Sequence, residues 1–217
     1  MLNILYLDTS SRISEIALTQ NSKILFHRIL NDSEGADQLV HQLRLSFSEI
    51  NLKPDEINNI SLSSGPGSYT GLRIGLAIAK GISLVCRSGF IGVPSLDILA
   101  NVYPSAENII SLIPSNPKKS EFYFAKYIKN NSVLRRISEY ASGNLIDILK
   151  NDSSFIIKKE YLHHIPESER LKFYSDFPEN DVMKSQIELT SISISENNFS
   201  DIEYFRPEYV ENYVPKN

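Results

Sequence analysis

The chain's 217 residues suffice for one large domain or two small ones, and a hydrophobic share of 41% is ordinary for a globular protein. The formal charge of −4, from 22 basic and 26 acidic residues, argues against a large nucleic-acid-binding surface, because phosphate contacts need concentrated lysine and arginine. The single cysteine, Cys86, excludes an internal disulfide. Residues 1–8 lack the basic stretch of a signal peptide, and charges and glycines interrupt the most apolar window, 72–85. We therefore expect a cytoplasmic protein without a membrane-spanning segment.

The first hundred residues predict strands and helices in a regular order. Apolar runs predict strands at 4–7, 13–19 and 24–30, which form an antiparallel meander with a hairpin turn at 20–22. The sequence Asp32-Ser33-Glu34 is the N-terminal signal of an amphipathic helix. The elements that follow are a short helical turn at 54–56, a strand at 60–63, a long helix from Ser68 or Thr70, a strand at 90–93 and a helix from Ser95 to Val102.

A second domain of the same kind is expected to begin near Tyr103. Its predicted elements are strands at 109–113, 122–127 and 155–157 and a short helix at 145–149. Residues 187–194 fit either a helix or a strand. The fold class is therefore α/β, with two ribonuclease-H-like, or actin-like, domains, each a mixed sheet flanked by helices. We expect the first domain at 1–102 and a smaller second domain at 103–217.

Residues 65–81 carry the most informative pattern in the sequence. Within the predicted long helix, Gly67, Gly71, Gly75 and Ala79 are four residues apart and therefore lie along one stripe. An interior glycine costs a helix about 1 kcal/mol relative to alanine, so the stripe predicts a close approach by another backbone or by a ligand. Either the stripe packs on the protein's own sheet, or it is a contact surface for another molecule.

A glycine-rich helix start can also bind phosphate through its backbone N–H groups. However, the loop matches neither Gly-x-x-x-x-Gly-Lys-Ser/Thr nor Gly-x-Gly-x-x-Gly. Lys80 lies about three turns along the helix, too far to act as a P-loop lysine. The sequence therefore disfavours a phosphate site at this loop.

Four segments together resemble a known family. They are, in chain order, Ile4-Leu5-Tyr6-Leu7-Asp8-Thr9-Ser10, Gly65-Pro66-Gly67-Ser68-Tyr69-Thr70-Gly71-Leu72-Arg73-Ile74-Gly75, Gly92-Val93-Pro94-Ser95-Leu96 and Tyr204-Phe205-Arg206. The second segment is similar, nearly letter for letter, to the signature of the TsaB family, also called YeaZ. The resemblance is strongest over about the first hundred residues.

The resemblance implies a non-catalytic subunit in the synthesis of N6-threonylcarbamoyladenosine (t6A) on bacterial tRNA. TsaB proteins pair with TsaD, a larger relative that holds the metal and transfers the threonylcarbamoyl group to the adenine beside the anticodon. The ATPase TsaE joins the pair. ATP and the metal ion are thus expected in the partner subunits and not in this chain alone, and tRNA is reached only through the complex. Members also form homodimers through the same surface when TsaD is absent.

Carried over to this chain, the TsaD contact uses the helices at 35–50 and 68–85. The candidate interface residues are Gly35, Leu39, Leu43, Gly67, Ser68, Tyr69, Gly71, Leu72, Arg73, Gly75, Leu76 and Ala79. The leucines fit either an interface or a core, and Arg73 fits a polar contact across the interface or with the turn at Asp8. If the stripe faces TsaD, Gly71→Leu or Gly75→Leu gives a folded protein that no longer binds TsaD. If either substitution unfolds the chain, the stripe is internal.

The alternative is an enzyme on the same fold, an ATP-dependent small-molecule kinase or ATPase. Actin-like kinases cradle phosphates with glycine-bearing hairpins, whereas the turn at 8–12 has no glycine. Asp8, Thr9 and Ser10 are therefore at most a vestigial nucleotide site. We expect the Asp8 side chain to cap the end of its own strand instead.

The sequence contains no strong pattern for a metal-binding site or for a catalytic nucleophile. No two of the four histidines, His27, His41, His163 and His164, have the His-x-x-x-His spacing of TsaD, so we expect no metal site. Cys86 lacks a convincing histidine partner and Gly-x-Ser-x-Gly is absent, which disfavours a glycoprotease. We expect no catalytic residue in this chain.

Overall fold

The computed structural model describes residues 1–31, 35–104, 106–130, 133–178 and 180–210, and these ranges hold five α-helices and eleven strands. The chain divides into two units. Unit 1 comprises Met1–Val93 and Gln186–Pro207, and unit 2 comprises Pro94–Ser185 and the described residues after Pro207.

This division differs from the expected boundary between residues 102 and 103. Helix α3, Ser95–Val102, belongs to unit 2, because Leu96 and Leu99 are buried in the core of that unit. The chain also returns to unit 1 after Ser185, which no local sequence pattern indicates. A helix belongs to the unit whose sheet covers its apolar side, and the order of elements along the chain does not show which sheet that is.

Five strands form the sheet of unit 1 in the order β3-β2-β1-β4-β5. Their bounds are β1 Asn3–Asp8, β2 Ile13–Gln20, β3 Lys23–Asn31, β4 Asn59–Ser63 and β5 Gly89–Val93. The first three are antiparallel neighbours, whereas β1, β4 and β5 are parallel. Asn21 and Ser22 both have positive φ, the geometry of a two-residue hairpin turn, which confirms the predicted meander.

Helices α1, Gly35–Glu49, and α2, Tyr69–Cys86, pack on one face of this sheet. Leu39 and Leu43 of α1 are buried in the same core as Leu5 of β1 and Leu62 of β4. This packing follows from the amphipathic pattern of α1 and the period of two along the strands. The predicted cap at residues 32–34 lies outside the described residues.

Helix α5, Asp181–Ser195, resolves the open assignment of residues 187–194 in favour of a helix. Its hydroxyl groups bond within the helix, for example Ser191 Oγ to the Ile187 carbonyl at 2.9 Å. Thr190 Oγ1 donates to the Gln186 carbonyl at 2.7 Å and lies 2.7 Å from Ser61 Oγ on β4. A serine-rich helix is stable here because its hydroxyls are satisfied by its own carbonyls and by a polar strand.

Residues 196–207 complete unit 1 beside β5, the edge strand of its sheet. The Ser200 N–H donates to the Phe90 carbonyl at 2.8 Å. The ring of Phe205 meets that of Phe90 edge to face, with centroids 4.8 Å apart. Gly92 leaves the space that the Phe205 ring fills, because a Cβ on Gly92 would lie 2.5 Å from the ring.

Unit 2 repeats the strand order of unit 1. Its strands are β6 Ala106–Asn116, β7 Glu121–Asn130, β8 Val133–Arg136, β9 Ala141–Asn144, β10 Ser154–Ile156 and β11 Phe173–Tyr174. The order β8-β7-β6-β10-β11 has antiparallel pairs at β6–β7 and β7–β8 and parallel pairs at β6–β10 and β10–β11, with β9 also on β7. Helix α4, Leu145–Ile148, follows β9. The predicted fold class, two mixed sheets flanked by helices, is confirmed.

A half-buried carboxylate, that of Asp97 in the first turn of α3, connects that helix to its sheet. Asp97 Oδ1 accepts hydrogen bonds from the Tyr127 hydroxyl at 2.7 Å and the Tyr140 hydroxyl at 2.8 Å. Burial raises the pKa of Asp97, and these two phenols and Arg136 partly offset that rise. The Arg136 guanidinium stacks 3.9 Å over the Tyr140 ring.

Candidate functional site

The N-terminus of α2 is attached to the turn that follows β1. Ser68 is the N-cap, and its Oγ accepts a hydrogen bond from the Gly71 N–H at 3.2 Å. The Ser68 N–H donates to the Ser10 carbonyl at 2.7 Å. The sequence predicted a helix start at Ser68 or Thr70, and the helix begins at Tyr69 with Ser68 as its N-cap. The turn after β1 lies directly against this helix start.

The glycine stripe of α2 faces this same turn. A Cβ added to Gly67 would come closer than 3.0 Å to the Ser10 carbonyl oxygen, and one on Gly71 would come equally close to that of Thr9. At Gly75 the added atom would clash with the Thr9 hydroxyl and with Leu62 Cδ1. The close approach that the sequence predicts therefore occurs within unit 1. The hypothesis that these three glycines admit a partner helix is wrong, because the chain's own turn occupies their space.

The other candidate interface residues divide between the core and the surface. Leu39, Leu43 and Ala79 are buried in the core of unit 1, and Leu72 is also buried. Ser68, Tyr69 and Arg73 are exposed, Leu76 is half-buried, and Gly35 is the first residue of α1. The Arg73 guanidinium stacks 4.3 Å over the Tyr69 ring of its own helix.

Asp8, Thr9 and Ser10 form a closed turn. Asp8 Oδ1 accepts hydrogen bonds from the Ser10 N–H at 2.9 Å and the Ser10 hydroxyl at 2.6 Å, so the predicted capping by the Asp8 side chain is confirmed. All three residues are at most 3% exposed. This turn supports α2, and it does not present its side chains as a nucleotide site would.

An open groove lies between the C-terminal halves of α1 and α2. This α1–α2 groove has a volume of about 540 Å³. It is lined by Val40, Leu43, Arg44, Phe47, Ser48, Asn51, Leu52, Lys53, Pro54, Ile78, Gly81 and Ile82. Most of these side chains are apolar, and the charged ones, Arg44 and Lys53, are both basic. The Cys86 thiol donates to the Pro54 carbonyl at 2.6 Å and so connects α2 to the loop at the end of the groove.

Gly81 is a groove residue that the sequence-based reasoning missed. A Cβ at Gly81 would have no atom within 4 Å, in contrast to the three glycines of the packed stripe. Beyond it, the side chains of Leu84 and Val85 are 84% and 68% exposed. The available signal was that Gly81 falls outside the four-residue spacing of the stripe, and so lies on another side of α2.

In the described residues α2 is also the one helix that is long and apolar enough to cross a membrane, judged by length and composition. Its Ala79 is nevertheless buried in the core against the sheet of unit 1, and its Leu72 is also buried. Its apolar character is therefore shared between a core side and the exposed side that borders the α1–α2 groove.

Across the described ranges, no group of three or more His, Cys, Asp or Glu residues is arranged to hold a metal ion. His27 Nε2 lies 2.8 Å from Glu15 Oε2, in a pair that joins β3 to β2. The rings of His163 and His164 are 3.7 Å apart, and burial lowers the pKa of His164. These histidines make local contacts.

Two solved structures from Pseudomonas aeruginosa share this fold. YeaZ has a TM-score of 0.75 at 19% identity, covering 95% of this chain and 100% of that one. A protein described as similar to the peptidase YEAZ has a TM-score of 0.76 at 18% identity, covering 97% and 100%. The class is therefore that of the two-unit, actin-like α/β proteins.

Curated relatives named tRNA threonylcarbamoyladenosine biosynthesis protein TsaB are similar in sequence. The Bacillus subtilis protein is 29% identical over 153 residues, 69% of this chain and 65% of its own length. The Buchnera aphidicola protein from the Acyrthosiphon pisum symbiont is 25% identical over 174 residues, covering 78% and 77%. The Escherichia coli protein is 26% identical over 134 residues, covering 60% and 57%. The matched segments thus span between 57% and 77% of these relatives.

A family model described as TsaD, tRNA N6-adenosine threonylcarbamoyltransferase, matches residues 34–188, more than half of the chain. The chain belongs to this family, as a member of the TsaB (YeaZ) type.

Proposed function

We propose that the chain is a non-catalytic scaffold subunit in t6A synthesis, in which it binds TsaD, with TsaE joining the pair. TsaD would transfer the threonylcarbamoyl group to the adenine beside the anticodon, and this chain would reach tRNA only through the complex. The names of the similar curated proteins support a place in t6A biosynthesis. A cytoplasmic location follows from that role.

The observation that carries the proposal is the open apolar side of α1 and α2. The α1–α2 groove is lined mostly by apolar side chains, and the Leu84 and Val85 side chains of α2 are exposed beyond it, Leu84 beside Asp201, Ile202 and Glu203. Apolar side chains exposed together in this way are typical of a protein-interaction surface. Because the glycine stripe is filled by the turn after β1, we place the TsaD contact on this outer side of α2. A homodimer in the absence of TsaD would use the same region.

Three features support a scaffold role over a kinase or ATPase. The carboxylate of Asp8 is engaged in its own turn, and that turn is covered by α2. The sequence of unit 2 has no Asp-x-Gly-Gly pattern. We therefore assign ATP and the metal ion to the partner subunits. The enzyme alternative requires tight ATP binding by the isolated chain and loss of turnover in Asp8→Ala.

Size-exclusion chromatography with light scattering tests the proposal. The chain is run alone, with TsaD of the same organism, and with TsaD, TsaE and ATP. We expect the chain and TsaD to form a one-to-one complex. If the chain alone is a homodimer, excess TsaD should convert that homodimer into the same complex. If neither mixture gives a complex, the scaffold proposal is wrong and the ATP-binding assay decides on the enzyme alternative.

A further inference from the structure

We infer that an open cleft on unit 1 binds a free α-amino acid with an apolar side chain, through its ammonium and carboxylate groups together. The cleft lies between the C-terminal half of α2 and residues 201–203, all within unit 1, and has a volume of about 610 Å³. Sites for small ligands range from about 300 to about 1,000 Å³. The lining residues are Lys80, Ser83, Leu84, Arg87, Asp201, Ile202 and Glu203. The inference goes beyond the proposed function and does not depend on TsaD.

The wall opposite α2 is anchored at both of its ends. Before the cleft, the Ser200 N–H donates to the Phe90 carbonyl at 2.8 Å, and after it the Phe205 ring packs on the Phe90 ring. Between these anchors, Lys80 Nζ donates to the Glu203 carbonyl at 3.2 Å. A ligand therefore meets two walls that are already in place, which lowers the entropic cost of binding.

The α2 wall of the cleft is positively charged. Lys80, Ser83 and Arg87 are three and four residues apart, a spacing that places successive residues along one side of a helix. Helix α2 contains no acidic residue, and no ion pair among the described residues involves Lys80 or Arg87. Two cations beside a hydroxyl group suit a ligand carboxylate, which accepts charge-assisted hydrogen bonds.

Arg87 has a backbone conformation that favours glycine. It ends α2 with φ of 50° and ψ of 37°, in the left-handed region, and its N–H donates to the Ser83 carbonyl at 2.9 Å. Glycine would end the helix there without conformational strain. An arginine at this position places a guanidinium group at the cleft, and a ligand carboxylate gives that group a partner.

The opposite wall carries two carboxylates. Asp201 and Glu203 both line the cleft, and Asp201 Oδ1 accepts a hydrogen bond from the Glu203 N–H at 2.9 Å. In the part of the chain that the structure describes, neither carboxylate forms an ion pair. This wall therefore suits the ammonium group of a ligand.

The two walls together favour a ligand that carries both charges. A purely anionic ligand is repelled by Asp201 and Glu203, and a purely cationic one by Lys80 and Arg87. A zwitterion is attracted to both walls at once. Apolar contact for its side chain is available from Ile202, which is half-buried, and from Leu84, which is 84% exposed.

Isothermal titration calorimetry of the isolated chain with three probes tests the need for both charges. L-leucine carries both, N-acetyl-L-leucine lacks the ammonium group, and L-leucinamide lacks the carboxylate. We expect L-leucine to bind with a dissociation constant of about 1 mM or below, and each derivative to bind at least about tenfold more weakly.

Two double variants assign the binding to the cleft. The positive wall is neutralised by Lys80→Gln with Arg87→Gln, and the negative wall by Asp201→Asn with Glu203→Gln. The matched controls remove the same charges at exposed residues of unit 2. They are Lys119→Gln with Arg135→Gln, and Glu139→Gln with Asp152→Asn. We expect each wall variant to bind L-leucine at least about tenfold more weakly and each control to stay within about threefold of the native chain. Circular dichroism establishes that every variant is folded.

Three results would overturn the inference. If N-acetyl-L-leucine binds as tightly as L-leucine, the cleft is a simple anion site. If L-leucine binds the wall variants as it binds the native chain, it binds elsewhere. If the native chain shows no binding at about 20 mM L-leucine, the cleft takes no amino acid. In that case, a loss of TsaD affinity in the wall variants would assign these charges to the TsaD contact instead.

Discussion

Two alanine substitutions on α2 separate internal packing from exposed helix surface. Gly71 faces the carbonyl of Thr9, whereas Gly81 faces open space. In both positions alanine improves intrinsic helix stability by about 1 kcal/mol. At Gly81 nothing opposes this gain, so we expect Gly81→Ala to stabilise the chain by about 0.5–1 kcal/mol.

At Gly71 the same methyl group would lie within 3.0 Å of a backbone oxygen, which must move for the side chain to fit. Overpacking of this kind costs about 1–3 kcal/mol, and the cost lies at the upper end because the obstacle is backbone in a hydrogen-bonded turn. After the helix gain is subtracted, we expect Gly71→Ala to lower the free energy of unfolding by about 2 kcal/mol. The two variants should therefore differ by about 3 kcal/mol, or about 6–12 °C in Tm.

Urea unfolding followed by circular dichroism at neutral pH measures this difference, and both variants should have similar m-values. If Gly71→Ala is as stable as Gly81→Ala, the stripe is not packed against the turn and the assignment of Gly67, Gly71 and Gly75 to the interior is refuted. Gly75→Leu extends the test, because it should unfold the chain and not merely abolish TsaD binding.

Three other predictions concern single side chains. Because burial raises the pKa of Asp97, the folded state holds the proton of the Asp97 carboxyl group more tightly than the unfolded state does. The stability that Asp97 contributes is therefore fully present below its ordinary pKa of 3.8 and is lost as pH rises through the raised pKa. Urea midpoints between about pH 4 and about pH 7 should show the native chain losing stability relative to Asp97→Asn, and a constant difference would contradict this sign. Burial and, secondly, the carboxylate of Asp55 raise the pKa of Cys86. Iodoacetamide should therefore alkylate Cys86 more slowly than it alkylates glutathione at the same pH, and it should alkylate Cys86 faster in Asp55→Asn than in the native chain. Equal rates for the native chain and Asp55→Asn would argue against the influence of Asp55. Ser68→Ala should cost about 1 kcal/mol in urea unfolding through loss of the N-cap and Ser68→Asp much less, whereas equal losses would assign the effect to another contact of Ser68.

The first unit was predictable in most of its elements because its segments obey a clear period. Strands β1 to β5 and helices α1 and α2 begin and end within a few residues of the sequence prediction. In unit 2, β8 has mostly exposed residues, β9 reads Ala-Ser-Gly-Asn, and β11 has two residues, so none of them shows the alternation that predicts a strand. Pairing with β7 and β10 makes these segments strands, and pairing is not a local property.

The candidate site was predictable only in part. The spacing of Gly67, Gly71 and Gly75 correctly predicted a close approach, but spacing does not say whether the approaching atoms belong to the same chain. That question depends on where the turn at Thr9 and Ser10 folds back against α2. The sequence pattern did not identify Gly81, because Gly81 lies outside the four-residue spacing of the stripe. Its exposure distinguishes it from the three packed glycines, and exposure is not visible in that pattern.

The return of the chain to unit 1 after Ser185 has a consequence for synthesis on the ribosome. Gln186 Nε2 donates to Ser61 Oγ at 3.1 Å across 125 positions of sequence, and Phe205 covers Phe90 only after more than a hundred further residues are made. The nascent amino-terminal segment therefore leaves the ribosome with a polar sheet face and an edge strand uncovered, and contacts of such long separation form slowly. A fragment comprising residues 1–93 should accordingly be a poor substitute for unit 1, because it lacks the segment Gln186–Pro207 that completes that unit.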